Sequence, residues 1–304
     1  MTSPFPTDCQ DHALSATFYA DTAKQRDVMI AGNTPLARDT YRLRLASPDL
    51  GSMIKPGQFV MIRLKGTDNP LLARPFALYD TWCDDSGMPI GFDIGYLVVG
   101  KMTQKLKTLR TGDMVEVWGP LGNGFQPRKA EHLIMVAGGI GQTPFLALGR
   151  EALGGRRYGR NSREVSSVDR VTLCYGVRSK AFAAGLDDFR SAGVTVRLST
   201  DDGSEGHHGY VTDLLKEVLS IESQQSRIVC CGPEPMMAAV ANIAREHEVP
   251  CEVSLETPMA CGIGICFSCV TKVRQEEFAE GEPEWDYKRT CVDGPVFDAK
   301  KIVF

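Results

Sequence analysis

No run of apolar residues in this 304-residue chain approaches the ~20 that a helix needs to cross a bilayer, which excludes a helical membrane span. A surplus of basic charge is missing too. Thirty-four Lys and Arg stand against thirty-eight Asp and Glu, a formal net charge of -4, so the footprint of a nucleic-acid binder is absent. The stretch from Met1 to Lys24 lacks the positive start and apolar core of a secretory signal. It is polar and carries Asp8, Asp11 and Asp21. Internal repeats are also lacking. Ten cysteines without an export signal point to a reducing cytoplasmic setting, where disulfides are rare. What remains is an ordinary globular composition, 43% hydrophobic and 24% charged. That length suits about two domains and a small appendage.

Four of the cysteines form a pattern. Cys261, Cys266 and Cys269 stand in a C-x4-C-x2-C loop, and Cys291 follows 22 positions later. This is the spacing of plant-type [2Fe–2S] centres, whose fourth thiolate is distant. Gly262 and Gly264 allow the loop positive φ and bring backbone N–H groups close to the cluster sulfides. The alternative is structural zinc, which four cysteines also suit. Zinc sites usually present two separated C-x2-C pairs, whereas here three ligands share one loop and the fourth stands alone. Cys251 is the rival fourth ligand, but it opens a strand before the loop, so the distal pattern selects Cys291. Cys9, Cys83, Cys174, Cys230, Cys231 and Cys251 remain, mostly as small buried hydrophobes.

Along the chain, residues 1–26 read as an irregular extension. Residues 27–128 hold short β-type runs broken by Gly and Pro, such as Tyr41–Leu45, Gln58–Leu64, Phe92–Val99 and Met114–Trp118. Such spacing predicts a small antiparallel barrel or sandwich, with one helix over Lys101–Arg110. From 129 to 250 the rhythm becomes strand then helix, which predicts a doubly wound parallel sheet. Its strands are Leu133–Ala137, Val171–Tyr175, Val194–Leu198 and Arg227–Cys231, and its helices start near Pro144 and Pro235. Gly154–Asp169, rich in Arg, Gly and Ser, reads as an exposed loop. Residues 251–304 carry the cysteine motif.

Three further stretches carry chemistry. Gly138-Gly139-Ile140-Gly141-Gln142-Thr143-Pro144 follows a strand and opens a helix, where backbone can approach a pyrophosphate at a free helix N-terminus. A tight turn with no ligand is the competing reading. Cys231-Gly232-Pro233 ends another strand of the same sheet, at the edge where ligands bind; Cys231 either faces a nicotinamide or is a buried thiol. Arg74-Pro75-Phe76-Ala77-Leu78 offers an arginine for a pyrophosphate and backbone for a flavin ring, unless Arg74 is a surface residue of an edge strand. Gly100-Lys101-Met102-Thr103 adds a phosphate cradle at a helix start.

These motifs, with Gly119–Phe125, together resemble the ferredoxin-NADP reductase superfamily. Met259–Cys269 and Tyr287–Phe297 narrow the resemblance to the electron-transfer subunits of class 1B, NAD-dependent dihydroorotate dehydrogenases. The likeness covers about residues 28–304. It implies an antiparallel β-barrel FAD domain, an NAD-binding α/β domain and a [2Fe–2S] segment facing a catalytic partner. Arg74, Phe76 and Leu78 would then hold FAD, with Lys101 and Thr103 near its phosphates. Gly139 and Gly141 would border the nicotinamide nucleotide and Cys231 its ring. Two residues depart from the superfamily's pattern. Ala77 stands where Ser or Thr is usual, and Met102 where glycine is usual.

The implied function follows from electron counting. NAD takes two electrons as hydride and an iron–sulfur centre passes one, so a flavin must stand between them. The resemblance implies a partner subunit that carries FMN and oxidises dihydroorotate, in a heterotetramer serving pyrimidine biosynthesis, with electrons passing by cluster and FAD to NAD⁺. The same machinery in hydrogenases, sulfide or polysulfide reductases and glutamate-synthase-like enzymes is the alternative, and a zinc-stabilised scaffold is a remote one. For the dinucleotide, Arg178 and Ser179 suit a 2′-phosphate, while Asp201 and Asp202 oppose one. The resemblance tips the choice to NAD.

Overall fold

The computed structural model describes residues 20–160, 164–221, 225–277 and 283–304. Most of the expected N-terminal extension, including Cys9, lies outside the described residues, as does part of the 154–169 loop. Extended structure begins earlier than anticipated, at Lys24.

Six strands close a barrel in the order β1-β2-β5-β4-β3-β6. They are β1 (Lys24–Ala37), β2 (Thr40–Ala46), β3 (Phe59–Leu64), β4 (Arg74–Cys83), β5 (Pro89–Leu97) and β6 (Met114–Leu121). Every neighbouring pair is antiparallel. Alternation drives the closure: in β2, Leu43 and Leu45 are buried while Arg42 and Arg44 point outward. A closed barrel has no edge strand, so the edge-strand reading of Arg74 fails; Arg74 pairs with Ile62 of β3. Two short helices join the strands, α1 (Pro48–Met53) and α2 (Lys101–Leu106). The first escaped the sequence reading because one and a half turns leave no periodicity.

The second half is a seven-stranded sheet in the order β10-β9-β8-β7-β11-β12-β15. Its strands and helices run β7 (His132–Gly138), α3 (Phe145–Ala152), β8 (Arg170–Val177), α4 (Leu186–Ser191), β9 (Thr195–Thr200), β10 (His207–His208), α5 (Val211–Ile221), β11 (Ser226–Cys231), α6 (Glu234–Glu246) and β12 (Cys251–Ser254). β7 is buried at every position, as expected for a central parallel strand covered on both faces. Next come the ribbon β13 (Val270–Arg274) and β14 (Trp285–Arg289), then β15 (Val296–Asp298). β15 returns antiparallel to β12, so the segment bearing the cysteines is stitched into the sheet.

A charged junction ties the two halves together. Asp80 of β4 is 6% exposed and takes Arg150 of α3 at 2.8 Å, Arg156 at 3.2 Å and the Tyr158 hydroxyl at 2.6 Å. Tyr158 is itself buried, which corrects the expectation of a wholly exposed loop after Gly154. Tyr79 donates to Asp188 of α4 at 2.7 Å. Burial, and then the Asp188 charge, push the Tyr79 phenol far above its usual range, so it remains a donor.

Candidate functional site

Two cavities meet where the barrel, the sheet and the cysteine-bearing segment converge. The larger, about 800 Å³, lies at the carboxyl edge of the sheet and is lined by the 138–141 turn, Gly176, Arg178, Asp201, Gly232 and Pro233. The smaller, about 590 Å³, is lined by Arg74–Ala77, Gly100–Thr103, Cys231 and the 254–259 stretch. Leu97, Val99, Ile140, Leu255, Glu256 and Thr257 line both. A two-ring contact between ligands of the two cavities therefore has a shared wall ready for it.

The glycines of the 138–141 turn have different tasks. A Cβ at Gly141 would stand 2.3 Å from the Cys231 carbonyl, and one at Gly138 would stand 2.7 Å from the Met236 sulfur. Both are glycine because β11 and α6 pack against them. Gly139 has φ +56 and nothing within 4 Å of its missing Cβ. It alone of the three opens freely into the cavity. The helix follows as expected, after a short 3-10 turn over Gly139–Gln142.

In the smaller cavity, Phe76 and Leu78 belong to the barrel core, and Phe76 meets Tyr96 edge-on at 6.3 Å. Pro75 and Ala77 pair with Met61 and Phe59 of β3. Leu78 is fully buried and does not line the cavity, whereas its four predecessors from Arg74 do. The Arg74 guanidinium folds back to the carbonyls of Leu72 at 3.0 Å and Ala73 at 2.9 Å, holding its charge at the cavity rim. Met102 is 3% exposed and packs in the barrel core, so its side chain does not fill the cradle at Gly100 and Lys101. The Thr103 hydroxyl accepts the N–H groups of Val99 at 3.0 Å and Gly100 at 3.1 Å. It caps α2 and, with Gly100 and Lys101, still lines the cavity.

Cys231 lines the smaller cavity rather than the larger one and is 2% exposed. Burial above all, with Glu256 adding to it, pushes its thiol well above the ordinary cysteine range, against a hydrogen bond from Ser254. It is a neutral thiol in the wall. Glu256 was not singled out by any sequence motif. Its side chain is exposed to the shared cavity space, and desolvation by the protein around that space raises its pKa. A lone acid two residues past a short strand carries no signal in the sequence.

The cysteines sit on the far side of β3 and β6. Gly262 and Gly264 have φ +74 and +84, and a Cβ at Gly262 would lie 2.6 Å from Met61. The loop thus lies directly on the barrel wall. Cys269 and Cys291 sulfurs are 3.2 Å apart and both are buried. Cys266 is exposed and hydrogen-bonds Cys261 and Ser268. The first proton leaves the Cys269–Cys291 pair readily, because the second thiol donates to the thiolate formed. Ile263 donates its N–H to the Cys261 sulfur at 3.4 Å. Among the described residues no group of three or more His, Cys, Asp and Glu converges on one metal-ion position. Two pairs of thiols fit two irons, each with two protein ligands, better than one tetrahedral zinc. Cys251 lies apart, against the Glu252 carbonyl.

Comparison with known proteins agrees with this geometry. Residues 28–125 match the oxidoreductase FAD-binding domain, 135–242 the oxidoreductase NAD-binding domain, and 256–303 the iron-sulfur cluster binding domain of dihydroorotate dehydrogenase B. The chain therefore carries FAD-, NAD- and cluster-binding domains. It is 36% identical over 277 residues to the dihydroorotate dehydrogenase B (NAD(+)) electron transfer subunit of Bacillus caldolyticus, covering 90% of this chain and 96% of that protein. The corresponding subunit of Shouchella clausii is 34% identical over 287 residues, 92% and 98% of the two chains. Among solved structures, an NADH-dependent reduced ferredoxin-NADP oxidoreductase studied for flavin-based electron bifurcation superposes with a TM-score of 0.74. It is 28% identical, over 91% of this chain and 89% of that one.

Proposed function

Since the chain belongs to the family of dihydroorotate dehydrogenase B electron-transfer subunits, we propose that it carries electrons from a dihydroorotate-oxidising catalytic partner to NAD⁺. The observation that carries this reading is the placement of the cysteine pairs on one side of the barrel wall and the joined cavities on the other. In this reading FAD supplies the interchange between one-electron and two-electron chemistry. The chain's own residues do the rest. Cys261, Cys266, Cys269 and Cys291 hold the [2Fe–2S] cluster near the surface, and exposed Phe267 and Ile265 beside it meet the partner. Arg74, Gly100 and Lys101 bind the FAD phosphates, and Pro75, Phe76 and Ala77 flank its ring. Gly138, Gly139, Gly141, Gly232 and Pro233 shape the dinucleotide bed. Buried Cys231 and the exposed Glu256 carboxyl stand in the wall beside which the reacting rings would lie.

The partner in this reading is an FMN-containing dihydroorotate dehydrogenase subunit, joined in a heterotetramer in the cytoplasm. Units 27–128, 129–250 and 251–304 would divide the labour, with Lys24–Arg26 joining the first through β1. Mixing the purified chain with such a subunit should give dihydroorotate-dependent NAD⁺ reduction, and none would refute the assignment. The ferredoxin-NADP oxidoreductase likeness favours a second reading, in which the same conduit serves another redox partner. NADH-driven reduction of ferredoxin by the isolated chain would support it.

A further inference from the structure

Electrons that enter by a cluster and leave as hydride must gain a proton on the way. An iron–sulfur centre passes bare electrons one at a time, whereas a hydride carries a hydrogen nucleus with its electron pair. The balance is FAD + 2e⁻ + H⁺ → FADH⁻, followed by FADH⁻ + NAD⁺ → FAD + NADH. Each turnover therefore brings one proton to the flavin ring from outside, and the cluster cannot supply it.

The smaller cavity, where FAD binds in the proposed function, holds few groups able to carry that proton. Arg74 and Lys101 are assigned to the phosphates, and an arginine does not deprotonate in a protein. The Tyr96 phenol donates to Asn33 Oδ1 at 2.9 Å and is 1% exposed. Burial pushes it far above its usual range. The Cys231 thiol is likewise buried and held neutral. Glu256 remains. Among the residues that line both cavities it is the one that ionises, the others being Leu97, Val99, Ile140, Leu255 and Thr257. Its side chain is exposed to that shared space. The other titratable groups of the larger cavity, Tyr175, Arg178, Asp201, Tyr210 and Glu234, do not line the smaller one.

We propose that Glu256 is the proton donor to the flavin site, refilled from solvent through the dinucleotide cavity before NAD⁺ occupies it. The carboxyl gives up its proton, the flavin ring takes it together with the electron pair, and water restores the acid. Desolvation by the surrounding protein raises the Glu256 pKa, so the acid form persists to higher pH than an ordinary carboxyl allows and has a proton to give. The inference rests on the electron-transfer reading, but not on dihydroorotate as the source of the electrons.

The test uses the full chain loaded with its flavin and cluster and no partner, so its failure is separable from failure of the dihydroorotate assignment. Flavin reduction is followed in stopped flow along two routes. Dithionite delivers electrons without a proton, whereas NADH delivers hydride with its nucleus. In Glu256→Gln the dithionite rate should fall at least about tenfold relative to the NADH rate, since a positioned acid is worth that much or more. Glu256→Asp keeps an acid and should recover part of the loss. The pH dependence of the flavin potential gives a readout apart from rate. Reduced flavin carries a negative charge, which raises the pKa of a neighbouring carboxyl. Native protein should therefore take up more than one proton per electron pair where Glu256 titrates, and Glu256→Gln only one. Flavin and cluster absorbance verify that each variant is folded and loaded. An unchanged ratio of the two rates in Glu256→Gln, no recovery in Glu256→Asp, or equal proton uptake in native protein and Glu256→Gln would overturn the proposal.

Discussion

The Trp118 indole N–H donates to the Cys261 carbonyl at 3.0 Å, joining barrel strand β6 to the first residue of the cysteine loop. With Gly262 seated against Met61, this bond fixes the loop on the barrel wall. Trp118→Phe keeps the ring and removes the donor, at a cost of about 1 kcal/mol. The expected result is faster bleaching of the cluster absorbance by a chelator, with flavin content retained. Equal bleaching rates in variant and native protein would show that the loop is held by other contacts.

Asp80 is the hinge point of the junction between barrel and sheet. Leaving Arg150 and Arg156 without their carboxylate should cost about 3–5 kcal/mol, the usual penalty for breaking a buried pair. Asp80→Asn is therefore expected to lower stability strongly in urea titrations of the loaded protein. Asp187→Asn is the control, because the Asp187 side chain is 95% exposed and pairs with Arg190, an arrangement worth about 0–1 kcal/mol. Similar losses from both substitutions would contradict a buried junction.

The two kinds of glycine in the dinucleotide turn give opposite expectations. Gly141→Ala forces a methyl into the Cys231 carbonyl and should destabilise the fold by about 1–3 kcal/mol. Gly139→Ala meets no neighbour and pays only for its left-handed backbone, about 1–2 kcal/mol, but its methyl faces the cavity. It should raise the NADH KM more than it lowers kcat. Steady-state kinetics and denaturant titration of both variants separate the cases, and an unchanged KM in Gly139→Ala would place the dinucleotide elsewhere.

Desolvation in the cavity raises the Glu256 carboxyl above its ordinary 4.5, which fixes the sign of its pH dependence. A raised pKa means the folded chain holds the proton more tightly than the unfolded one. The stability linked to this proton is present in full below about 4.5 and fades as pH rises through the raised value. Glu256→Gln remains neutral throughout. Melting temperatures of variant and native protein should therefore converge in acid and separate above it, the variant being the more stable near neutrality. Curves that run parallel from acid to neutral pH would contradict the desolvation of this carboxyl in the cavity.

How much of this was legible depended on range. The cysteine loop and the 138–144 turn are local patterns, and β7 announces itself as an unbroken apolar run, so these could be read directly. Arg74 was placed correctly on a strand, yet no local signal says that β4 closes a barrel and has no free edge. Tyr158 was misread because Arg, Gly and Ser around it dominate the composition, while its partner Asp80 is 78 residues away. The capping bonds of Thr103 were not separable from a ligand role in the sequence, because a hydroxyl at a helix start can serve either. Met102 stood out as a departure from glycine, and a sequence does not show that its side chain turns into the barrel core. Glu256 was silent for the same reason: its meaning comes from two cavities that only the folded chain brings together.

In the proposed function electrons enter at the cysteine loop and leave at the dinucleotide cavity. The most direct measurement compares native chain and Cys291→Ser, each combined with a dihydroorotate-oxidising subunit, in two assays. Dihydroorotate-dependent NAD⁺ reduction should disappear in Cys291→Ser together with the cluster's EPR signal, while NADH-dependent ferricyanide reduction continues in the same preparation. Undiminished NAD⁺ reduction from dihydroorotate in that variant, with the cluster gone, would contradict the account.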